Sequence, residues 1–250
     1  IPFSSIYYIN KTCRVQIRIM KSGSVAVAKG DLASIESTTY TVEEQGFEVT
    51  LSLDIKHSVT DLSGEVVARQ GIAAQQEVTE GTDVEVGDDG SIAVGSIPQL
   101  VWNTTEFLIS PEGFIITDTG SGQFLYDILK AEFGVEAERA SINLRSLQNE
   151  FEDQDRSVEP WKVGFYGREA NADNGVVHGV DVLNDDRLGN ILAGTAMNQL
   201  GLVFDRDGFR MKVFVTESGY VEVYQPSDFD TTSFVDWVSE EVIPHVRTEF

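Results

Sequence analysis

From Phe47 the chain alternates. Phe47, Val49, Leu51, Leu53 and Ile55 are apolar, while Glu48, Thr50, Ser52 and Asp54 between them are polar. This period of two predicts a strand with one buried and one wet face. Shorter runs predict strands at Val25–Ala28, Glu65–Ala68, Val84–Val86 and Ile92–Val94, the last two joined as a hairpin by Gly87-Asp88-Asp89-Gly90. Gln70 to Gly81 fits a loop or a short helix. Glu106–Ile109 and Phe114–Thr117 should pair across Ser110-Pro111-Glu112-Gly113, whose proline and glycine suit a type I turn.

The period then lengthens. Phe124, Leu125, Ile128, Leu129 and Phe133 form one helical stripe, with Ser121 as its N-cap and Gly134 as its stop. Ala137, Ala140, Leu144, Leu147 and Phe151 predict a second helix over 136–152. The polar segment Glu152 to Pro160 predicts a boundary. Beyond it, Trp161, Val163 and Phe165 alternate as a strand, Asn171 to Gly175 turns, and Val176–Val182 returns. Asn184 caps a third helix carrying Leu188, Ile191, Leu192, Ala196 and Leu200. Strands follow at Leu202–Phe204, Phe209–Val215 and Tyr220–Tyr224. A last helix starts near Ser233, which with Asp236 resembles a capping box.

The order does not alternate as in doubly wound proteins. The expected fold class is therefore α+β, mainly antiparallel sheets with about four amphipathic helices. The N-terminal half is β-rich and the C-terminal half mixed. Three regions are expected: 1–19 as a non-native or upstream extension, 20–152 ending in two helices, and 161–250. Residues 1–19 hold Lys11, Arg14 and Arg18, no acid, and the only cysteine, Cys13.

Charge changes the picture. The 41 acidic and 18 basic residues give −23, with lysine scarce. At multimolar salt the Debye length falls to roughly 3 Å or less, so such a surface keeps its solubility without self-repulsion. The composition predicts a halophilic, haloarchaeal, cytoplasmic protein. It offers no basic stripe for nucleic acid. Ile6-Tyr7-Tyr8-Ile9 is too short for the apolar region of a signal peptide, and no apolar run approaches the ~18 residues of a membrane span. A lone cysteine excludes CxxC metal sites.

Two constellations carry candidate chemistry. Asp118-Thr119-Gly120 follows the apolar run Phe114-Ile115-Ile116, and Ile191-Leu192-Ala193-Gly194 lies downstream. This string resembles the active-site motif of aspartic proteases. The resemblance implies a peptidase in which Asp118 faces a second aspartate; with one such string, the second must come from a homodimer. A strand-to-helix corner, capped by Asp118 and Ser121, accounts for the same residues. His178, Asp181, Asp185 and Asp186 could hold Mg²⁺ or Mn²⁺ for phosphodiester chemistry, as could His57 between Asp54 and Asp61. Asp185 and Asp186 also suit a helix start. The leading expectation is an interaction or regulatory protein without a catalytic site or cofactor. Its partner would be another protein or a second copy, with neither nucleic acid nor membrane bound. That expectation requires an exposed apolar patch on an otherwise acidic surface.

Overall fold

The computed structural model describes residues 18–153, 157–169, 172–185, 189, 192 and 194–247. The strands are β1 (Ser22–Lys29), β2 (Thr38–Glu44), β3 (Phe47–Thr60), β4 (Val66–Val86), β5 (Ile92–Ser110), β6 (Phe114–Thr117) and β7 (Glu136–Arg139). After them come β8 (Ser141–Ile142), β9 (Glu159–Glu169), β10 (Ala172–His178), β11 (Ala196–Arg206), β12 (Phe209–Thr216), β13 (Tyr220–Gln225) and β14 (Val246–Arg247). Three α-helices are present among the described residues: α1 (Phe124–Phe133), α2 (Leu144–Asp153) and α3 (Thr231–Trp237).

Twelve strands form one sheet in the order β10-β9-β11-β12-β13-β1-β6-β5-β4-β3-β2, with β7 also on β1. Every pairing is antiparallel. β14 and β8 make a separate two-stranded pair. β1 is the centre: β6 runs along one edge, while β13 and then β7 share the other. Strands from both sides of residues 152–161 thus lie in the same sheet.

That position explains the composition of the central strands. β6 is buried on both faces, and so is the middle of β1. Phe114–Ile116 and Val25–Ala28 accordingly form continuous apolar runs and do not alternate, with Thr117 and Ser24 as buried polar neighbours. On one face Ala26, Leu51, Leu53, Ala73, Phe107 and Ile115 pack under α1 through Leu125, Ile128 and Leu129. On the other face Val25, Leu108 and Ile116 join the inner residues of β9 and β11–β13, covered by α2 and α3.

Several expectations are corrected. Gln70 to Gly81 is neither loop nor helix but the middle of a 21-residue strand. Pairing with β3 and β5 on both edges overrides the weak strand preference of Ala73, Ala74, Gln75 and Gln76. Gly71 is required there, because a Cβ would lie 2.2 Å from the Asp54 carbonyl oxygen and 2.6 Å from the Phe107 ring. The helix expected over 136–152 begins only at Leu144. Glu136–Arg139 is claimed instead by the open edge of β1, so Ala137 and Ala140 are small because they lie against that strand.

The third predicted helix is also corrected. Leu188 and Ile191 lie outside the described residues, but Ala196 and Leu200 belong to β11, paired with β9 and β12, so three helices stand among the described residues where about four were expected. Ser121 does not cap α1; a 3₁₀ turn at Gly120–Gln123 leads into it. The cap of α3 is Asp230, whose carboxylate accepts the Ser233 N–H at 2.8 Å, so the Ser233–Asp236 box does not form. Residues 1–17 and Asp186 lie outside the described residues.

Candidate functional site

β4 and β5 are longer than the sheet that holds them. Their pairing runs residue for residue from Arg69–Ile109 to Val86–Ile92 with no register shift. β3 leaves β4 after the Leu51–Gln75 pair, and β6 leaves β5 at Phe107–Thr117. From Gln76 outward neither β3 nor β6 pairs with the hairpin, among the described residues; at its base the β3 Thr50 N–H still donates to Gln76 Oε1 at 3.0 Å, and Val78 packs against the core. Ten residue steps at ~3.4 Å make an arm on the order of 35 Å long.

In an antiparallel ladder, residues directly opposite share a face. One face of the arm carries, from the tip inward, Val86/Ile92, Val84/Val94, Thr82/Ser96, Glu80/Pro98, Val78/Leu100 and Gln76/Trp102. The reverse face carries Glu85, Asp83 and Glu77, with Asn103 donating to Glu77 at 2.7 Å. Asp88 and Asp89 form the tip. The first face is apolar and open: Val94 is 70%, Ile92 68% and Trp102 55% exposed, and Val84, Val86 and Leu100 are exposed as well. Side chains of these sizes at these exposures leave on the order of 600 Å² of apolar surface uncovered, the upper end of what a monomer ordinarily tolerates.

Asp118 sits at the root of this arm. Its Oδ1 accepts the Thr105 hydroxyl at 2.6 Å and the Glu106 N–H at 3.1 Å, and its own N–H donates to the Glu106 carbonyl at 3.0 Å. The carboxylate thus satisfies β5 where β6 departs. Thr119 and Ser121 bond each other through their hydroxyls at 3.0 Å. Gly120 opens the 3₁₀ turn. Gly122 fits because a Cβ would lie 2.7 Å from Thr105 Oγ1.

Asp118→Ala removes the short acceptor of the buried Thr105 hydroxyl, leaving it the Glu106 carbonyl at 3.2 Å, and the acceptor of a β5 N–H, and should cost about 2 kcal/mol in urea unfolding. Asp118→Asn keeps the Oδ1 acceptor and should cost less than about 1 kcal/mol. Equal losses would contradict this assignment.

Of the candidate metal residues, His178, Asp181, Asp185, His57, Asp54 and Asp61 are described and Asp186 is not. His178 ends β10, exposed, its ring 6.2 Å from that of Trp161. Asp181 has φ +50° and accepts Asn184 Nδ2 at 2.8 Å, closing its own turn. The Asp185 carbonyl accepts the Gly189 N–H at 2.8 Å. His57 is exposed at a bulge of β3, beside an Asp54–Lys56 ion pair. Asp61 accepts the Ser63 hydroxyl and the Glu65 N–H; these bonds hold its carboxyl below the usual range. No group of three or more His, Cys, Asp or Glu among the described residues is placed to hold a metal ion.

Two arrangements were invisible in the sequence. The first links residues 99 apart: buried His245 has Nδ1 3.0 Å from Ser146 Oγ, and its Nε2 lies 2.9 Å from Glu150 Oε2 though outside hydrogen-bonding alignment. Serine, histidine and glutamate match a hydrolase triad in composition. Here, however, Ser146 and Glu150 are one turn apart on α2. The nearby cavity of about 250 Å³ is lined by Asn143, Leu144 and Arg145 but not Ser146. With the Asn143 N–H donating to the His245 carbonyl at 2.9 Å, the set fastens the chain end to α2.

The second is a cavity of about 220 Å³ between Arg206, Phe209, Phe229 and Asp236. Its arginine is already held by Glu240 at 2.6 Å and Asp207 at 3.4 Å. Burial and Glu240 push the Asp236 carboxyl above its usual range.

No helix among the described residues is long and apolar enough to cross a membrane. Searches against protein-family models and curated protein sequences find no match to the chain.

Proposed function

We propose that this protein is a non-catalytic interaction protein that engages a protein partner through the apolar face of the β4–β5 arm. What supports this is the uncovered row of Val84, Val86, Ile92, Val94, Leu100 and Trp102 on a chain of net charge −23. Free energy favours covering such a surface, since each Å² of apolar area removed from water is worth roughly 25 cal/mol before the costs of association. The acidic, lysine-poor composition supports work in a salt-rich cytoplasm, where those costs exclude long-range repulsion.

The test is site-specific photocrosslinking in the source cells. A photoreactive residue at Val94, on the apolar face, should form protein adducts that the same residue at Ala93, on the reverse face, does not. Equal yields at the two positions, or none at Val94, would overturn the proposal.

A further inference from the structure

The apolar face has a pattern along its length. Two apolar rows at the tip, Val86/Ile92 and Val84/Val94, are followed by a small hydroxyl row, Thr82/Ser96. The next row, Glu80/Pro98, holds the face's single charge. Two more rows, Val78/Leu100 and Gln76/Trp102, form the base. Read from either end, mainly apolar rows flank a polar middle, the one polar residue in them being Gln76, whose Oε1 accepts the Thr50 N–H.

We infer that the occupant of this face is a second copy of this chain, packed arm to arm and antiparallel about a two-fold axis between the Thr82/Ser96 and Glu80/Pro98 rows. The inference rests on the arm being the contact element. In that arrangement β4 lies over β4 and β5 over β5 of the partner, about 10 Å apart as packed sheets are. Tip rows then meet base rows: Val94 faces the partner's Leu100, and Ile92 faces the partner's Trp102. Glu80 meets the hydroxyl of the partner's Thr82, so the one carboxylate on the face receives a donor rather than another acid. A closed two-fold contact of this kind is self-complementary and does not propagate.

Area and charge point the same way. Two such faces together remove on the order of 1,200 Å² from water, within the range of a stable interface. The arm's other acids are on the reverse face or at the tip, so the contact excludes the charge that dominates the rest of the chain. Repulsion between two chains of −23 remains at long range. It falls with added salt, so dimerisation should tighten as KCl rises.

The test is sedimentation of the whole chain in multimolar KCl. The unaltered protein should be a dimer. Val94→Lys alone places two unpaired charges against apolar rows, and so does Leu100→Glu alone. Each should raise the dissociation constant about 100-fold, with the monomer fold unchanged by circular dichroism because both sites are exposed. Mixing the two variants gives a heterodimer in which one lysine meets one glutamate and the opposite contact is native. The mixture should recover at least about tenfold in affinity.

A monomer at ~100 μM would overturn the inference, as would failure of the mixture to recover. Val94 adducts with a different protein, from a chain that is monomeric, would remove the second copy and leave the arm as the contact element. No Val94 adduct of any kind would remove both.

Discussion

Phe204→Ala is expected to lower the free energy of unfolding by about 4 kcal/mol, as large-to-small changes at fully buried aromatics do. Phe204 is 0% exposed on β11. Its ring centroid is 4.6 Å from that of Phe151, at a tilt of 45°. Phe151 ends the buried stripe Leu144, Leu147 and Phe151, by which α2 lies on the sheet. Truncation therefore loses the transfer energy of one ring, leaves a cavity, and removes an aromatic pair contributing about 1 kcal/mol.

Phe204→Leu fills most of the space and should cost less than half as much. Phe151→Ala in the same background should add less than its separate cost, because the two rings share one cavity. Urea unfolding followed by tryptophan fluorescence reads all three. A loss below about 1.5 kcal/mol for Phe204→Ala would mean that α2 collapses into the gap and that the Phe204–Phe151 contact is not a fixed support.

The parts of this fold that were legible in sequence are those set by local chemistry. Gly87-Asp88-Asp89-Gly90 turns the long hairpin, Pro111 and Gly113 turn β5 into β6, and Gly134 at φ +65° ends α1. The alternation of β3 was legible because its two faces differ in solvent access. What failed was decided by distant strands. Ala137 and Ala140 sit at spacings that a helix would also use, and only the vacancy on β1 beyond β13 makes Glu136–Arg139 a strand.

Asp118 was legible as a motif residue, and also as a corner. Its partners Thr105 and Glu106 belong to another strand, which no local pattern names. The arm was half legible. Val84–Val86 and Ile92–Val94 read as a hairpin around Gly87-Asp88-Asp89-Gly90, but Gln70 to Gly81 does not read as a strand, and Ile97 and Val101 break the alternation farther along β5. Nothing local says that this apolar face meets water. That follows from β4 and β5 outrunning β3 and β6.

Gly219→Ala should cost about 4 kcal/mol, and Gly208→Ala is its control. Both glycines have left-handed backbones, at φ +88° and φ +83°, in turns between neighbouring antiparallel strands. An L side chain there costs about 1–2 kcal/mol from conformation alone. Gly208 has nothing within 4 Å of a built Cβ, so that cost is all Gly208→Ala should show.

At Gly219 the methyl would stand 2.7 Å from the Ala140 carbonyl oxygen and 3.0 Å from that of Val25. Neither can yield. Val25 donates its N–H to the Gly219 carbonyl at 2.8 Å and accepts the Ala140 N–H at 2.9 Å. This is the point on the central strand where β13 hands over to β7, and a shift there opens the seam between the strands that precede α2 and those that follow it. Overpacking of this kind adds about 1–3 kcal/mol. The difference between the two alanine variants in urea unfolding thus isolates the seam from the backbone cost. Equal losses at both positions would mean that the β1–β7–β13 junction has slack enough for a methyl group, and that the two sides of the sheet are held together elsewhere.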